Sequence, residues 1–233
     1  MNTTLLLASA IAPGLALAIY IYYRDKFEKE PMKILVMSFL LGILSAVPAL
    51  ILEIFIGLDI PIIQQNVFLQ AFFGIALLEE GCKMFFVLIF AYRKKVFNEP
   101  FDGITYAVMV SMGFATIENI FYVLEGGVQL AVIRAITAVP AHTTFAIIMG
   151  YFLGLAKFTH QHKLFYWMLA LACSTFLHGA YDYFLLQNSI PGLWIGAIVS
   201  LITGIYLSKK AINIHNQNSP FASQNDSPNQ LNN

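Results

Sequence analysis

Two adjacent glutamates and a lysine lie inside an apolar stretch of the sequence. Glu79, Glu80 and Lys83 occur in a run from about residue 67 to 92 that is otherwise apolar. A charged side chain in lipid costs roughly 2.5 to 3.5 kcal/mol on insertion scales, so such residues usually face protein partners or water. Glu79 precedes Lys83 by four residues, the favourable orientation for a helical ion pair. We expect Lys83 to neutralise one carboxylate at most, which leaves the second glutamate as a candidate proton carrier.

Three further sets of polar residues lie in later apolar runs. They are Glu118 with Asn119, His142, and His178 with Asp182. Pro140 precedes His142 and predicts a helix kink, because proline removes a backbone donor. His178 and Asp182 are four residues apart and therefore share one helix face. We expect all these groups to converge on one cavity in the central to outer half of a membrane.

Composition indicates that lipid is the main solvent of this chain. Hydrophobic residues make up 58% of the 233 positions and charged residues only 11%, which is typical of a membrane protein. The formal net charge is zero, so no basic field indicates a nucleic-acid partner. Cys82 and Cys173 lie in apolar runs without metal-type spacing, and we interpret them as small buried residues.

The elements that must position the polar groups are membrane-spanning helices. A spanning helix needs about 20 apolar residues, and the sequence contains seven runs of this kind. The first has no basic residue before its apolar core, so we interpret it as a span and not as a cleaved signal peptide. The runs lie near residues 3–23, 34–57, 67–92, 103–125, 128–156, 164–186 and 191–208.

The positions of Lys and Arg predict the orientation of these spans. All of them except Lys83 and Arg134 fall in alternate loops on one side of the predicted membrane. By the positive-inside rule the N-terminus is then outside and the C-terminus cytoplasmic. The fold class is therefore an all-α polytopic membrane protein with one domain over residues 1–210. Residues 211–233 are mostly polar and predict a disordered cytoplasmic tail.

The ordered motifs resemble those of a known protease family. Glu-Glu-x-x-Lys, then Phe-x-x-x-Glu, then His-x-x-x-Asp on successive apolar runs closely resemble the PrsW family of membrane-embedded proteases, distant relatives of the CAAX prenyl endopeptidases. Lys29-Glu30-Pro31 and Phe101-Asp102-Gly103-Ile104 are similar to the family as well. The resemblance covers roughly residues 20–186.

The resemblance implies an intramembrane endopeptidase in the cell (inner) membrane of a bacterium. Its substrate would be a membrane-anchored protein, typically an anti-sigma factor at the first cut of a regulated proteolytic cascade. Carried over to this chain, the core of the site would be Glu79, Glu80 and His178. Glu118 and His142 would complete the catalytic set, and the supporting residues would be Lys83, Asp182 and Asn119.

Two chemistries for peptide hydrolysis remain open at this point. In a metal-free glutamic protease, a glutamate takes the proton of a water while His178 binds the water or the oxyanion. In a zinc-dependent protease, the metal ligands would be Glu80, Glu118, His142 and His178. The sequence contains no His-Glu-x-x-His pattern. The family resemblance favours the metal-free version, with no cofactor.

Two function classes other than a protease remain. Carboxylates and histidines buried in helices also build proton relays, so a proton-coupled transporter is the main alternative. Carriers usually have internal repeats with broken helices, and the sequence shows no such symmetry. A non-catalytic membrane scaffold would use the buried charges only for packing.

Overall fold

The chain is built from helices joined by short connections. A computed structural model describes residues 3–159, 161–187 and 190–222, and within these residues there is no strand. A π-helical segment, Gln70–Ala76, lies between α4 and α5, and a 3₁₀ turn, Ala91–Arg93, follows α5. The α-helices are α1 Thr3–Arg24, α2 Met32–Asp59, α3 Pro61–Gln65, α4 Val67–Leu69, α5 Leu77–Ile89, α6 Phe101–Ile136, α7 Ala138–Phe158, α8 Lys163–Leu186 and α9 Ile195–Gln217.

Among the described residues, five helical segments are long and apolar enough to cross a membrane. They are Thr3–Arg24, Met32–Ile56, Phe101–Phe158, Lys163–Leu186 and Ile195–Gln217. The third of these has 58 residues and contains two helices, α6 and α7. The predicted run at 67–92 does not form one uninterrupted α-helix, because the π segment divides it. The prediction of an all-α membrane protein is confirmed.

The chain between α6 and α7 differs from the sequence expectation at two points. The break between the predicted runs 103–125 and 128–156 is a sharp kink at Gly127, whose φ of 69° and ψ of −163° are non-helical and suit glycine. The segment after this kink is helical to Ile136 and contains Arg134. Pro140 does not kink a helix, since α7 begins at Ala138 and the first turn of a helix needs no backbone donor there.

The predicted boundary of the polar tail is also corrected. The last helix, α9, ends at Gln217, so residues 211–217 are helical where the sequence predicted disorder. Ala211 and Ile212 are buried, and His215 Nε2 lies 2.9 Å from the carbonyl oxygen of Tyr151 in α7. These contacts hold the end of α9 against the bundle. Residues 223–233 of the predicted tail lie outside the described residues.

The two central helices, α6 and α7, position the other long helices. Residues 101–116 of α6 are all buried, α1 and α2 pack on α6, and α8 and α9 pack on α7. The backbones of α6 and α7 meet where Gly103 faces Gly150. A Cβ on Gly103 would lie 2.4 Å from the Gly150 carbonyl oxygen, which explains why small residues occupy this contact. The close packing brings polar residues of both helices to one place.

Candidate functional site

A buried lysine joins the acidic pair of α5 to α7. Lys83 Nζ lies 3.0 Å from Glu79 Oε2, 2.8 Å from Glu80 Oε1 and 3.2 Å from His142 Nδ1. An ammonium has three N–H donors and no acceptor, so Lys83 uses all three on these groups. His142 Nδ1 must then accept, which places the proton of a neutral His142 ring on Nε2. The ammonium also lies 4.1 Å from the centre of the Phe114 ring.

Lys83 does not select one of the two glutamates, although its single positive charge balances only one negative charge. Residues three and four positions apart are neighbours on a helix surface, so Lys83 reaches both Glu80 and Glu79 from the same turn. The pair is therefore not divided into a neutralised and an isolated carboxylate. One oxygen remains free, because Glu80 Oε2 is buried without a hydrogen-bond partner among the described residues.

Each of the two histidines is held by carboxylates. His178 Nδ1 lies 3.0 Å from Glu80 Oε1, and its Nε2 lies 3.2 Å from Asp182 Oδ2. His142 Nε2 lies 2.8 Å from Glu118 Oε2. The two imidazole rings are 5.1 Å apart, centre to centre. The four predicted sets of polar residues therefore converge, with His178 oriented by both Glu80 and Asp182.

Arg134, one of the two basic residues outside the positively charged loops, belongs to this network. Its Nη2 lies 3.1 Å from Glu118 Oε1, and its Nε donates to Asn119 Oδ1 at 2.8 Å. The Asn119 amide in turn donates to the carbonyl oxygen of Ala10 in α1 at 2.8 Å. In the sequence, Arg134 and Lys83 are the two basic residues that do not lie in the positively charged loops. This exception could have indicated that Arg134 is paired inside the protein.

The polar groups surround a cavity of about 590 Å³. Glu79 contributes to its wall, whereas Glu80 and Lys83 do not and lie behind it. The side chain of Glu79 is 8% exposed and that of Glu80 is 0% exposed. Glu53 of α2 and Glu125 of α6 also line this cavity. The other polar and ionisable residues of the wall are Glu118, Tyr122, Arg134, His142, His178, Tyr181 and Asp182.

The π-helical segment directly precedes the acidic pair. Such segments are rare and are frequent at functional sites, because one wider turn changes the direction of the side chains that follow. Phe72 of this segment packs on α8 at Gly179, where an added Cβ would lie 2.6 Å from the ring. Gly179 adjoins His178. The contact therefore sets the distance between α8 and the start of α5.

Four side chains of this site are of the types that bind metal ions. Glu79, Glu80, His142 and His178 each provide one donor atom, and the four atoms lie within 4.8 Å of one another. Zinc accepts imidazole and carboxylate ligands, and metal-bound histidines usually have a carboxylate on the second nitrogen. Asp182 and Glu118 take that position here. Glu118, which the sequence analysis placed among the zinc ligands, is thus outside the converging donor set.

Comparison with known proteins decides the family. A sequence model described as "PrsW family intramembrane metalloprotease" matches residues 30–208. The chain belongs to the PrsW family. The motif residues discussed above, from Glu30 to Asp182, lie inside the matched range, and Lys29 lies one residue before it.

Curated PrsW proteins are similar over most of their length. The protein named Protease PrsW of Geobacillus kaustophilus is 39% identical over 191 residues, which cover 82% of this chain and 84% of the relative. The Bacillus subtilis protein of the same name is 36% identical over 185 residues, 77% of this chain and 82% of the relative. The Clostridioides difficile protein is 31% identical over 205 residues, 85% and 84% of the two chains. No solved structure matches.

Membership of the PrsW family makes this chain an intramembrane protease. The predicted family and the predicted enzyme class are confirmed. The transporter and scaffold alternatives are accordingly set aside. The roles of the individual residues and the substrate are taken up below.

Proposed function

We propose that this PrsW protein cleaves a membrane-anchored protein at the cavity between α2, α5, α6, α7 and α8. The observation that carries this proposal is that a glutamate and a carboxylate-held histidine, Glu79 and His178, both line one cavity. Peptide hydrolysis needs an activated water and a donor for the oxyanion. A cavity of about 590 Å³ has room for several waters and a short peptide segment.

In the proposed reaction Glu79 is the general base. Its carboxylate takes a proton from a cavity water, and the oxygen of that water attacks the carbonyl carbon of the peptide. Glu80 holds Nδ1 of His178, and the Nε2–H, which faces Asp182 at rest, turns to the developing oxyanion and donates a hydrogen bond to it. Glu79 then returns the proton to the nitrogen of the leaving amine as the carbon–nitrogen bond breaks.

Lys83 supports a metal-free form of this chemistry. Its ammonium lies within 3.2 Å of one oxygen of Glu79, one oxygen of Glu80 and Nδ1 of His142. A positive charge is therefore already present next to these three groups. The family description names a metalloprotease. In that form Glu79, Glu80, His142 and His178 would hold zinc, which as a Lewis acid polarises a carbonyl and activates water. Glu118 and Asp182 would orient the two histidines in either form.

Treatment with a chelator separates the two forms. We expect cleavage by the purified protein in lipid vesicles to persist at its original rate after dialysis against a strong chelator. Metal analysis of the dialysed sample checks that zinc has been removed. A loss of cleavage that added zinc restores would replace the metal-free proposal by the zinc-dependent one.

For the topology, we propose seven spans with the N-terminus outside. The stretch Val67–Ile89 would supply the third span, and α6 and α7 the fourth and fifth. Arg134 is engaged by Glu118 and Asn119, so it does not count as a free loop charge against the positive-inside rule. The relatives named above come from bacteria, and we place this protein in the bacterial cell (inner) membrane.

The substrate we propose is a single-span protein, with an anti-sigma factor as the particular candidate. Deletion of the gene should cause one membrane protein to accumulate uncleaved, which quantitative proteomics of membrane fractions detects. The intact chain should restore cleavage, and His178→Ala should not, although the variant reaches the same abundance. Restoration of cleavage by His178→Ala would contradict the proposed site, and no accumulating membrane protein would contradict the proposed substrate class.

A further inference from the structure

A second acidic cluster lies far from the proposed active site. It combines the connection between α1 and α2 with the residues at the start of α6. Asp102 and Glu118 are sixteen residues apart on α6, which corresponds to about 24 Å along a helix. The cluster includes residues of the Lys-Glu-Pro and Phe-Asp-Gly motifs that the catalytic proposal does not use. Its four carboxylates, all 5% exposed or less, belong to Asp25, Glu30, Glu99 and Asp102.

Two of these carboxylates are buried without partners. Asp25 and Glu99 are each 1% exposed, and none of their four side-chain oxygens has a hydrogen-bond partner within the described residues. The Ser219 hydroxyl and the Asp25 carboxyl are polar neighbours of Glu99. An unpartnered buried carboxylate costs several kcal/mol. The two carboxylates must therefore be neutralised, either by a positive group close to both or by bound protons.

The nearby lysine does not meet this requirement. The ammonium of Lys29 donates to the backbone carbonyl oxygens of Tyr22 and Asp25, and it forms no ion pair with a carboxylate among the described residues. The other two acids have partners of their own. Asp102 Oδ2 accepts from the backbone N–H groups of Asn98 and Glu99, at 2.7 and 2.8 Å, and Glu30 accepts from the Tyr106 hydroxyl.

We propose that Asp25, Glu99 and Asp102 bind a hard divalent cation, Mg²⁺ or Ca²⁺. Each of the three residues offers one carboxylate oxygen, and these oxygens lie within 4.8 Å of one another. A site made only of oxygen ligands suits these two ions better than zinc. The unpartnered oxygens of Asp25 and Glu99 are free to coordinate, and Glu30 adds negative charge next to them. A bound cation would tie the end of α1 to the start of α6.

The ionisation of the cluster agrees with a site that works near neutral pH. Burial, together with the charges of Glu99 and Glu30, raises the pKa of Asp25 to about 7 against the lowering effect of Lys29. Burial also raises the pKa of Glu99. Without a cation, the folded protein thus binds more protons than the unfolded chain. Its free energy of unfolding then falls as the pH rises from about 4 to about 7.

The test uses the full chain in detergent with Glu80→Gln and His178→Ala, so that the active site contributes little to metal binding. Mn²⁺ serves as the probe, and electron paramagnetic resonance measures the ion that remains free. We expect one Mn²⁺ to bind per chain and to be displaced by Mg²⁺ or Ca²⁺. Adding Asp25→Asn and Glu99→Gln should weaken binding at least tenfold, and the matched control Glu28→Gln, on an exposed residue of the same connection, should leave it unchanged.

Thermal unfolding in the presence of chelator keeps the test decisive. The Asp25→Asn, Glu99→Gln protein should unfold at the same temperature as its parent or higher, because buried like charges have been removed. Added Mn²⁺ should raise the unfolding temperature of the parent alone. The proposal is overturned if Mn²⁺ does not bind, or if it binds equally to the variant. A parent that responds only to pH and not to the cation would show that shared protons, and no metal, neutralise the cluster.

Discussion

Replacing Glu79 by glutamine is expected to reduce the rate of peptide cleavage by about 10²- to 10⁴-fold, the usual contribution of a general base. The amide cannot accept the proton of a water, but it has nearly the same shape and can still accept a hydrogen bond from Lys83. Glu80 remains to neutralise Lys83, 2.8 Å away. The fold should therefore persist. The measurement is the initial rate of cleavage of a membrane-anchored substrate in vesicles, at equal amounts of folded protein.

The matched control for this variant is Glu53→Gln. Glu53 lines the same cavity, and no hydrogen bond or ion pair joins it to the histidines or to Lys83 among the described residues. Its replacement should alter the rate much less than that of Glu79. If Glu53→Gln inactivates the protein while Glu79→Gln does not, the general base lies on α2 and the proposed mechanism is wrong.

Replacing Lys83 by methionine is expected to destabilise the protein by about 3 to 5 kcal/mol, because removing one partner of a buried ion pair leaves the other charge uncompensated. Here two carboxylates lose their counter-charge together, and His142 Nδ1 loses its donor. Methionine retains the length and apolar stem of lysine, so the effect reports the charge. Unfolding of the purified protein by denaturant in mixed detergent micelles provides the measurement.

The triple variant Glu79→Gln, Glu80→Gln, Lys83→Met is the control for Lys83→Met. It removes the two negative charges along with the positive one, and we expect it to recover most of the lost free energy of unfolding. Recovery assigns the loss to unbalanced charge. A triple variant as unstable as Lys83→Met would show that the ammonium acts mainly through its contact with Phe114 or through packing.

The sequence alone determined the fold class and most members of the site, for local reasons. Apolar runs of about 20 residues require helices in lipid, since every backbone group must be paired internally. Spacings of three and four residues place Glu79, Glu80 and Lys83, or His178 and Asp182, on one helix face without any tertiary information. Ionisable residues inside such helices must face each other, which predicted that the sets would meet.

Only the tertiary structure decided which groups reach the cavity and which lie behind it. Glu79 and Glu80 are adjacent residues of the same type, and the sequence does not tell them apart. The packing of α5 against α7 and α8 leaves Glu79 at the wall of the cavity and Glu80 enclosed by Lys83 and His178. The pairing of Arg134 with Glu118, sixteen residues earlier, required the kink in α6 at Gly127. The acidic cluster joins residues from 25 to 102. Such contacts depend on how closely helices that are distant in sequence approach each other. The side chains between the helices set that distance, and residue spacing within one helix does not.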